Sequence, residues 1–205
     1  MINEIKLAFS ENKRAIYISI AILFVCLILG YMLEPYLYAY LNPVVEELTK
    51  KVQSGAIKLT FTDIFLNNLR VIVQMFLMGI IFCFSALILA FNGFFVGYYI
   101  GTSDNLVQVL LYIIPHGIFE FSSCILACAA SFVLFKYVFN LIKSFLKSDN
   151  DSMVGCIKEA FELNYEIFKQ ALILFCVSVI LMAVAGFIEA YLTIPIAGYF
   201  MSILS

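Results

Sequence analysis

Apolar residues in this chain come in long runs rather than in alternation, and charged residues separate the runs. No Asp, Glu, Lys or Arg lies between Arg14 and Glu34, between Arg70 and Asp104, or between Lys169 and Glu189. A bilayer core takes roughly 20 apolar residues at ~1.5 Å rise each. Ala15–Leu33 and Gln170–Ile188 each fit one crossing, and Val71–Phe91 fits a third that ends at the Asn92-Gly93 turn signal. The stretch from Leu106 to Phe139 is too long for one span and is interrupted by Pro115-His116-Gly117. There the pattern predicts Leu106–Ile114, joined or not to Gly93–Gly101, and then Ile118–Phe139. Ile194–Leu204 is a short final apolar segment. The runs lack a period-2 pattern and exceed the length of barrel strands. Backbone groups in lipid must also pair within their own segment, so the runs are helical. The expected fold is an all-α polytopic transmembrane bundle, one integral membrane domain over residues 1–205. It should hold about five full spans plus one or two short, broken or re-entrant helices.

Two connecting segments are apolar on one face only. Residues 43–54 carry Val45, Leu48 and Val52 between the start signal Asn42-Pro43 and the stop signal Gly55. Residues 152–168 carry Val154, Ile157, Phe161 and Phe168 behind Asp149-Asn150-Asp151-Ser152. Both are expected as short amphipathic helices on the membrane surface or against the bundle, with partner binding as the alternative.

Composition narrows the function classes. Hydrophobic residues make up 64% and charged residues 13% of the 205, with a mean hydropathy of +1.04. Soluble domains carry roughly 45–50% and about 25%, so a soluble enzyme, a secreted disulfide scaffold and a disordered tail are all excluded. A formal net charge of −2 offers no basic field for nucleic acid. Lys6, Lys13 and Arg14 precede the first run, and Lys136, Lys143, Lys147, Lys158 and Lys169 surround the loop before the Gln170 run. Placing both groups in the cytoplasm satisfies the positive-inside rule. The reading is therefore a multi-pass protein of the cell membrane with a cytoplasmic N-terminus. Lys50, Lys51 and Lys58 fall on the other side, offset by Glu46, Glu47 and Asp63. The first apolar run, at 19 residues, exceeds the ~7–15 residue core of a signal peptide and has no A-x-A site after it, so it reads as an uncleaved span. Cys26, Cys83, Cys124, Cys128 and Cys176 lie inside apolar runs, where thiols pack as small hydrophobes. Cys124 and Cys128 are one turn apart, yet packing is favoured over a metal or redox pair.

Polar residues at membrane depth are the candidate functional set, because a carboxylate there costs on the order of 3 kcal/mol to insert. His116 and Glu120 are four apart and share a helix face. Pro115 fits the first turn of a helix, which would put Glu120 near a favourable dipole end. Glu189 is a second carboxylate close to Pro195, and Asn92 and Gln74 complete the set. A proton or ion relay, metal ligation, and mutual satisfaction of the three side chains around broken helices all fit. The residues do not choose between them. With no H-E-x-x-H and too few ligands, no metal and no cofactor is expected.

Gly93, Gly97 and Gly101 form a G-x-x-x-G-x-x-x-G stripe, which allows close backbone approach. Packing inside the same bundle is favoured over homo-oligomerisation or a hinge. Nucleophilic triads, phosphate loops and aromatic nucleic-acid platforms are absent, so no enzymatic activity is expected.

Four segments in order carry a resemblance: Ile64-Phe65-Leu66-Asn67-Asn68, Asn92-Gly93 with Gly97, Pro115-His116-Gly117-Ile118-Phe119-Glu120, and Ile188-Glu189-Ala190-Tyr191-Leu192-Thr193. The chain resembles, over nearly its whole length, the stage II sporulation protein M family of multi-spanning membrane proteins. It departs at Ser122, where the family usually has proline. The resemblance marks His116, Glu120, Asn92, Gly93 and Glu189 as matching positions without assigning them roles. In spore formers the family member works with peptidoglycan hydrolases during engulfment, which implies a non-enzymatic scaffold that recruits or positions partner proteins. The alternative is a transporter or permease component built on the buried His/Glu set. Membrane lipid, and a protein partner or a second copy of the chain, are the expected partners.

Overall fold

The computed structural model describes residues 2–54, 60–81, 84–148 and 152–204, without the side chains of residues 48, 49, 51–53 and 204. Every regular element among them is helical: α1 (Ile2–Glu11), α2 (Lys13–Gln53), α3 (Phe61–Leu77, extended by a 3-10 turn over Met78–Ile80), α4 (Phe84–Gly101), α5 (Leu106–Lys147), α6 (Met153–Tyr191) and α7 (Thr193–Leu204). Five of these, α2 to α6, are long and apolar enough to cross a membrane, and α7 is a shorter apolar helix.

The middle of α5 is the hub, and its composition explains why. From Ser123 to Ser131 every residue is buried, and most are small: Ser123, Cys124, Ala127, Cys128, Ala129, Ala130 and Ser131. Lipid offers no hydrophobic drive between helices, so small side chains that bring backbones together decide which helix sits inside. Helices α2, α3, α4, α6 and α7 all pack on α5. Leu23, Ile72, Met75, Leu89, Cys128 and Met182 fill one side of it, and Ala8, Phe76, Ala130, Leu134 and Leu174 the other.

Buried hydroxyls join the helices at two levels. Ser123 Oγ donates to the Ser178 carbonyl at 2.7 Å and Ser178 Oγ donates back to the Ser123 carbonyl at 2.9 Å, tying α5 to α6. Ser131 Oγ meets Ser85 Oγ at 2.5 Å, tying α5 to α4.

Helices α2 and α4 run parallel. Gly93 lies against Leu23, Gly97 against Leu27 and Gly101 against Glu34, so residue numbers rise together, and Gly30 of α2 returns the contact against Phe94. The glycine stripe is thus an intramolecular packing face. Gly93–Gly101 is the second half of α4, a helix long and apolar enough to cross a membrane.

Helix α1 closes one end. Asn12 Nδ2 donates to Gln170 Oε1 at 2.8 Å, and Lys169 pairs with Glu4 at 2.8 Å. The two basic regions, around Lys13 and around Lys136–Lys169, therefore share an end of the bundle.

Several boundaries differ from the sequence expectation. The Val71–Phe91 run is divided between α3 and α4 by a bend after Ile80, where Gly79 lies against the Ser131 backbone. Helix α3 starts earlier, at a cap in which Thr60 Oγ1 accepts from the Asp63 N–H. Arg70 consequently sits within α3 rather than at its edge. Asn92-Gly93 makes no turn, because α4 runs through it and the Asn92 amide donates to the Ile88 carbonyl at 2.9 Å. Pro115 does not break α5 into Leu106–Ile114 and Ile118–Phe139. It removes one backbone hydrogen bond, whereas ending the helix in lipid would orphan several. Residues 43–54 and 152–168 are helical, but as the end of α2 and the start of α6 rather than as separate short helices. Gly55, Lys58, Cys83 and Asp149–Asp151, like the side chains of Leu48, Lys51 and Val52, lie outside the described residues.

Candidate functional site

Pro115 sits ten residues into α5, and the helix continues through it to present His116 and Glu120 one turn apart on the same side. Glu120 is therefore mid-helix, and the expected stabilisation by a helix N-terminus does not operate. About 11 residues, or roughly 17 Å of helix rise, separate Glu120 from Ser131 at the other polar level. The third residue comes from α6. Glu189 lies two residues from the end of that helix, just before the junction at Leu192 that leads into α7.

One potential ligand atom from each of His116, Glu120 and Glu189 lies within 4.8 Å of the other two. All three residues are half-buried. Thr193, buried at the start of α7, completes the surroundings: its hydroxyl donates to the Ile188 carbonyl at 3.2 Å and stands 3.2 Å from His116 Nδ1. With the hydroxyl proton on the carbonyl, the imidazole donates from Nδ1 and Nε2 keeps a free lone pair; in the other tautomer the hydroxyl donates to Nδ1 instead. Among the described residues neither carboxylate has a hydrogen-bond or ion-pair partner. An apolar groove of about 440 Å³ lies alongside, lined by Pro115 and Ile188 together with Leu111, Ile114, Leu192 and Ile196.

The structure brings together three of the five intramembrane candidates. Asn92 is left out, since its amide is spent on its own helix, and Gln74 lies on the exposed side of α3. Thr193 was missed because a threonine next to a helix junction carries no sequence mark of contact with a histidine far away in the chain. The serine pairs were missed for the same reason. The Thr60-x-x-Asp63 cap, by contrast, was readable as a helix start.

Chemically, the site offers two carboxylates and one imidazole lone pair converging in apolar surroundings. Such a set holds a cation or passes a proton. It contains no activated nucleophile.

Comparison with known proteins agrees with the residue pattern. The family model described as stage II sporulation protein M matches residues 15–194. An uncharacterized protein of Methanocaldococcus jannaschii is 36% identical over 152 residues, covering 71% of this chain and 78% of the relative. No solved structure matches. The family match runs from the start of α2 to the first turn of α7 and takes in all three clustered residues, so this multi-pass membrane protein belongs to the stage II sporulation protein M family.

Proposed function

We propose that the chain is a non-enzymatic scaffold of the cell membrane that holds a partner protein through the α5–α6 hairpin, with that hairpin and the N-terminus in the cytoplasm. One observation carries the reading. Helices α5 and α6 have 42 and 39 residues, about 63 and 58 Å of rise against a hydrocarbon core of ~30 Å. About 17 Å of α5 lies beyond Lys136 and about 24 Å of α6 before Lys169, so both helices extend at the basic end. There the hairpin exposes Leu146 (75%), Met153 (72%), Val154 (77%) and Leu163 (70%). A groove of about 260 Å³ opens beside them between Leu141, Ile142, Phe145, Ile157 and Ala160. An amphipathic helix of a partner protein fits such a surface, anchored by apolar residues at helical spacing. Because the hairpin continues unbroken from two long apolar helices, it supports a projecting arm better than helices lying flat on lipid.

The test is crosslinking in native membranes followed by affinity purification and mass spectrometry, with wild type beside Val154→Glu and Leu163→Glu. A stoichiometric protein partner recovered with wild type, and lost from variants of normal abundance and helicity, supports the scaffold. Recovery of the chain alone, or a partner indifferent to both changes, refutes it.

A second reading, a transporter or permease component, is favoured by the His116/Glu120/Glu189 cluster at membrane depth, since ionisable groups there mark ion pathways. It requires pH-dependent solute flux in vesicles with an inflection moved by His116→Ala. Flux that never rises above empty vesicles eliminates it.

A further inference from the structure

We infer that His116, Glu120 and Glu189 form a binding site for one divalent first-row metal ion, of which zinc is the type. The inference is independent of the hairpin reading and rests on three observations.

The first is convergence. Three ligand atoms from two different helices lie within 4.8 Å of one another. Ligands of a tetrahedral ion at about 2.0–2.1 Å stand ~3.4 Å apart, so the widest pair has to close by at most about 1.4 Å.

The second is the missing counter-charge. Two carboxylates face each other inside an apolar bundle, and among the described residues nothing donates to either. The next basic residue on α5 is Lys136, about 24 Å of helix rise from Glu120, and on α6 it is Lys169, about 30 Å from Glu189. Helix α7 carries no charge, and on α3, which packs on α6 at Gly186, the basic residue is the exposed Arg70. A divalent cation brings two carboxylates and a neutral imidazole to zero net charge, the state that costs least at this depth.

The third is the orientation of the histidine. In the tautomer with its proton on Nδ1, His116 donates to the Thr193 hydroxyl, whose own proton goes to the Ile188 carbonyl. Engaging one ring nitrogen with a neighbouring side chain, so that the other is free to ligate, is the way proteins fix a metal-ligating imidazole.

The ligand set defines the ion class. One nitrogen and two oxygens suit Zn²⁺, Mn²⁺, Fe²⁺ or Co²⁺, whereas Mg²⁺ and Ca²⁺ prefer oxygen alone and Cu⁺ prefers sulfur. Three protein ligands leave one position open on the ion.

The full chain, purified in detergent and stripped with chelator, is titrated with Zn²⁺, and bound metal is counted by mass spectrometry. Wild type is expected to take up about one equivalent. His116→Ala and Glu189→Gln are each expected to weaken binding more than tenfold with helicity and elution volume unchanged, while Asn92→Ala binds as wild type. Thr193→Val keeps all three ligands and is expected to weaken binding about 10–100-fold through the imidazole alone. If a triad variant does not fold, the Co²⁺-loaded wild type decides by X-ray absorption. A nitrogen/oxygen shell with an imidazole signature is expected, and a sulfur shell overturns the site in favour of Cys124 or Cys128. No uptake by wild type, or uptake indifferent to His116, Glu189 and Thr193, overturns the inference and leaves the carboxylates sharing a proton.

Discussion

Adding one methyl group at Gly97 tests the parallel packing of α2 and α4. A Cβ built there lies 2.8 Å from the Leu27 carbonyl carbon and 3.1 Å from its Cα, and meets the carbonyl oxygen more closely still. These are backbone atoms, so no side chain can rotate away. Ordinary contact begins near 3.4 Å, and the two helices must therefore part by about an ångström at this level. Overpacking of this kind costs about 1–3 kcal/mol. Each neighbouring contact opened by 0.5–1 Å gives up roughly a quarter to a half of its attraction. Alanine also gains about 1 kcal/mol of helix propensity over glycine, which would blur a single measurement. Gly198→Ala removes that ambiguity, because a Cβ at Gly198 meets nothing within 4 Å and receives the same gain. The difference between the two variants isolates the clash and is expected to be about 2–3 kcal/mol, with Gly97→Ala the less stable. SDS titration in mixed micelles, followed by far-ultraviolet circular dichroism, measures it. Equal midpoints for the two variants would refute the packing argument. A change of oligomer size with unchanged stability would instead assign the stripe to a second copy of the chain.

The other expectations are smaller in scope. Ser123→Ala and Ser178→Ala, taken through a double-mutant cycle in the same titration, should show a coupling of about 0.6–1.7 kcal/mol between α5 and α6; additive effects would remove the pair as an interhelical tie. Tyr98 is fully buried and its hydroxyl has no partner among the described residues, so Tyr98→Phe should be neutral or stabilising by about 1 kcal/mol, and a clear loss would show that the hydroxyl is bonded. The hydrogen bond and charge of Lys169 hold the Glu4 carboxyl below its ordinary value. A lowered pKa means that this contact helps dock α1 above the ordinary glutamate range and is lost as pH falls through the lowered value. Protection factors along Ile2–Glu11, with the intrinsic pH dependence of exchange divided out, should therefore fall in acid and in high salt for wild type, and be insensitive to pH over that range in Glu4→Gln.

What the sequence made legible was whatever is written locally. Charge-free runs revealed the spans, and i,i+4 spacing put His116 beside Glu120. The errors all came from reading a local signal without its surroundings. Asn92-Gly93 is a turn signal in water, where freed backbone groups bond to solvent. In an apolar bundle the same pair continues the helix, with Asn92 turned back onto Ile88 and Gly93 set against Leu23. Pro115 is a breaker by the same logic and is retained inside α5 for the same reason. The Val71–Phe91 run contained its own bend, visible afterwards as Gly79 seated on the backbone of Ser131. No local pattern could bring Glu189 or Thr193 to His116, because that contact depends on α6 lying antiparallel to α5 and bending where the cluster sits.

The two functional readings place different demands on the same three side chains, and the geometry lets them be separated. A carrier must release what it binds, so its ligands need alternating access and a protonation step that weakens the hold. A scaffold needs the cluster only to keep α5 and α6 in register, because those two helices form both the cluster and the projecting hairpin. In a scaffold, Glu189→Gln should loosen the hairpin and reduce partner recovery in proportion to lost stability, and the loss should be restored by any change that re-stabilises the α5–α6 pair. In a carrier, the same variant should keep its partner and its fold while losing flux. Measuring partner recovery, stability and flux on that one variant therefore distinguishes a charge that holds the bundle together from a charge that moves something through it.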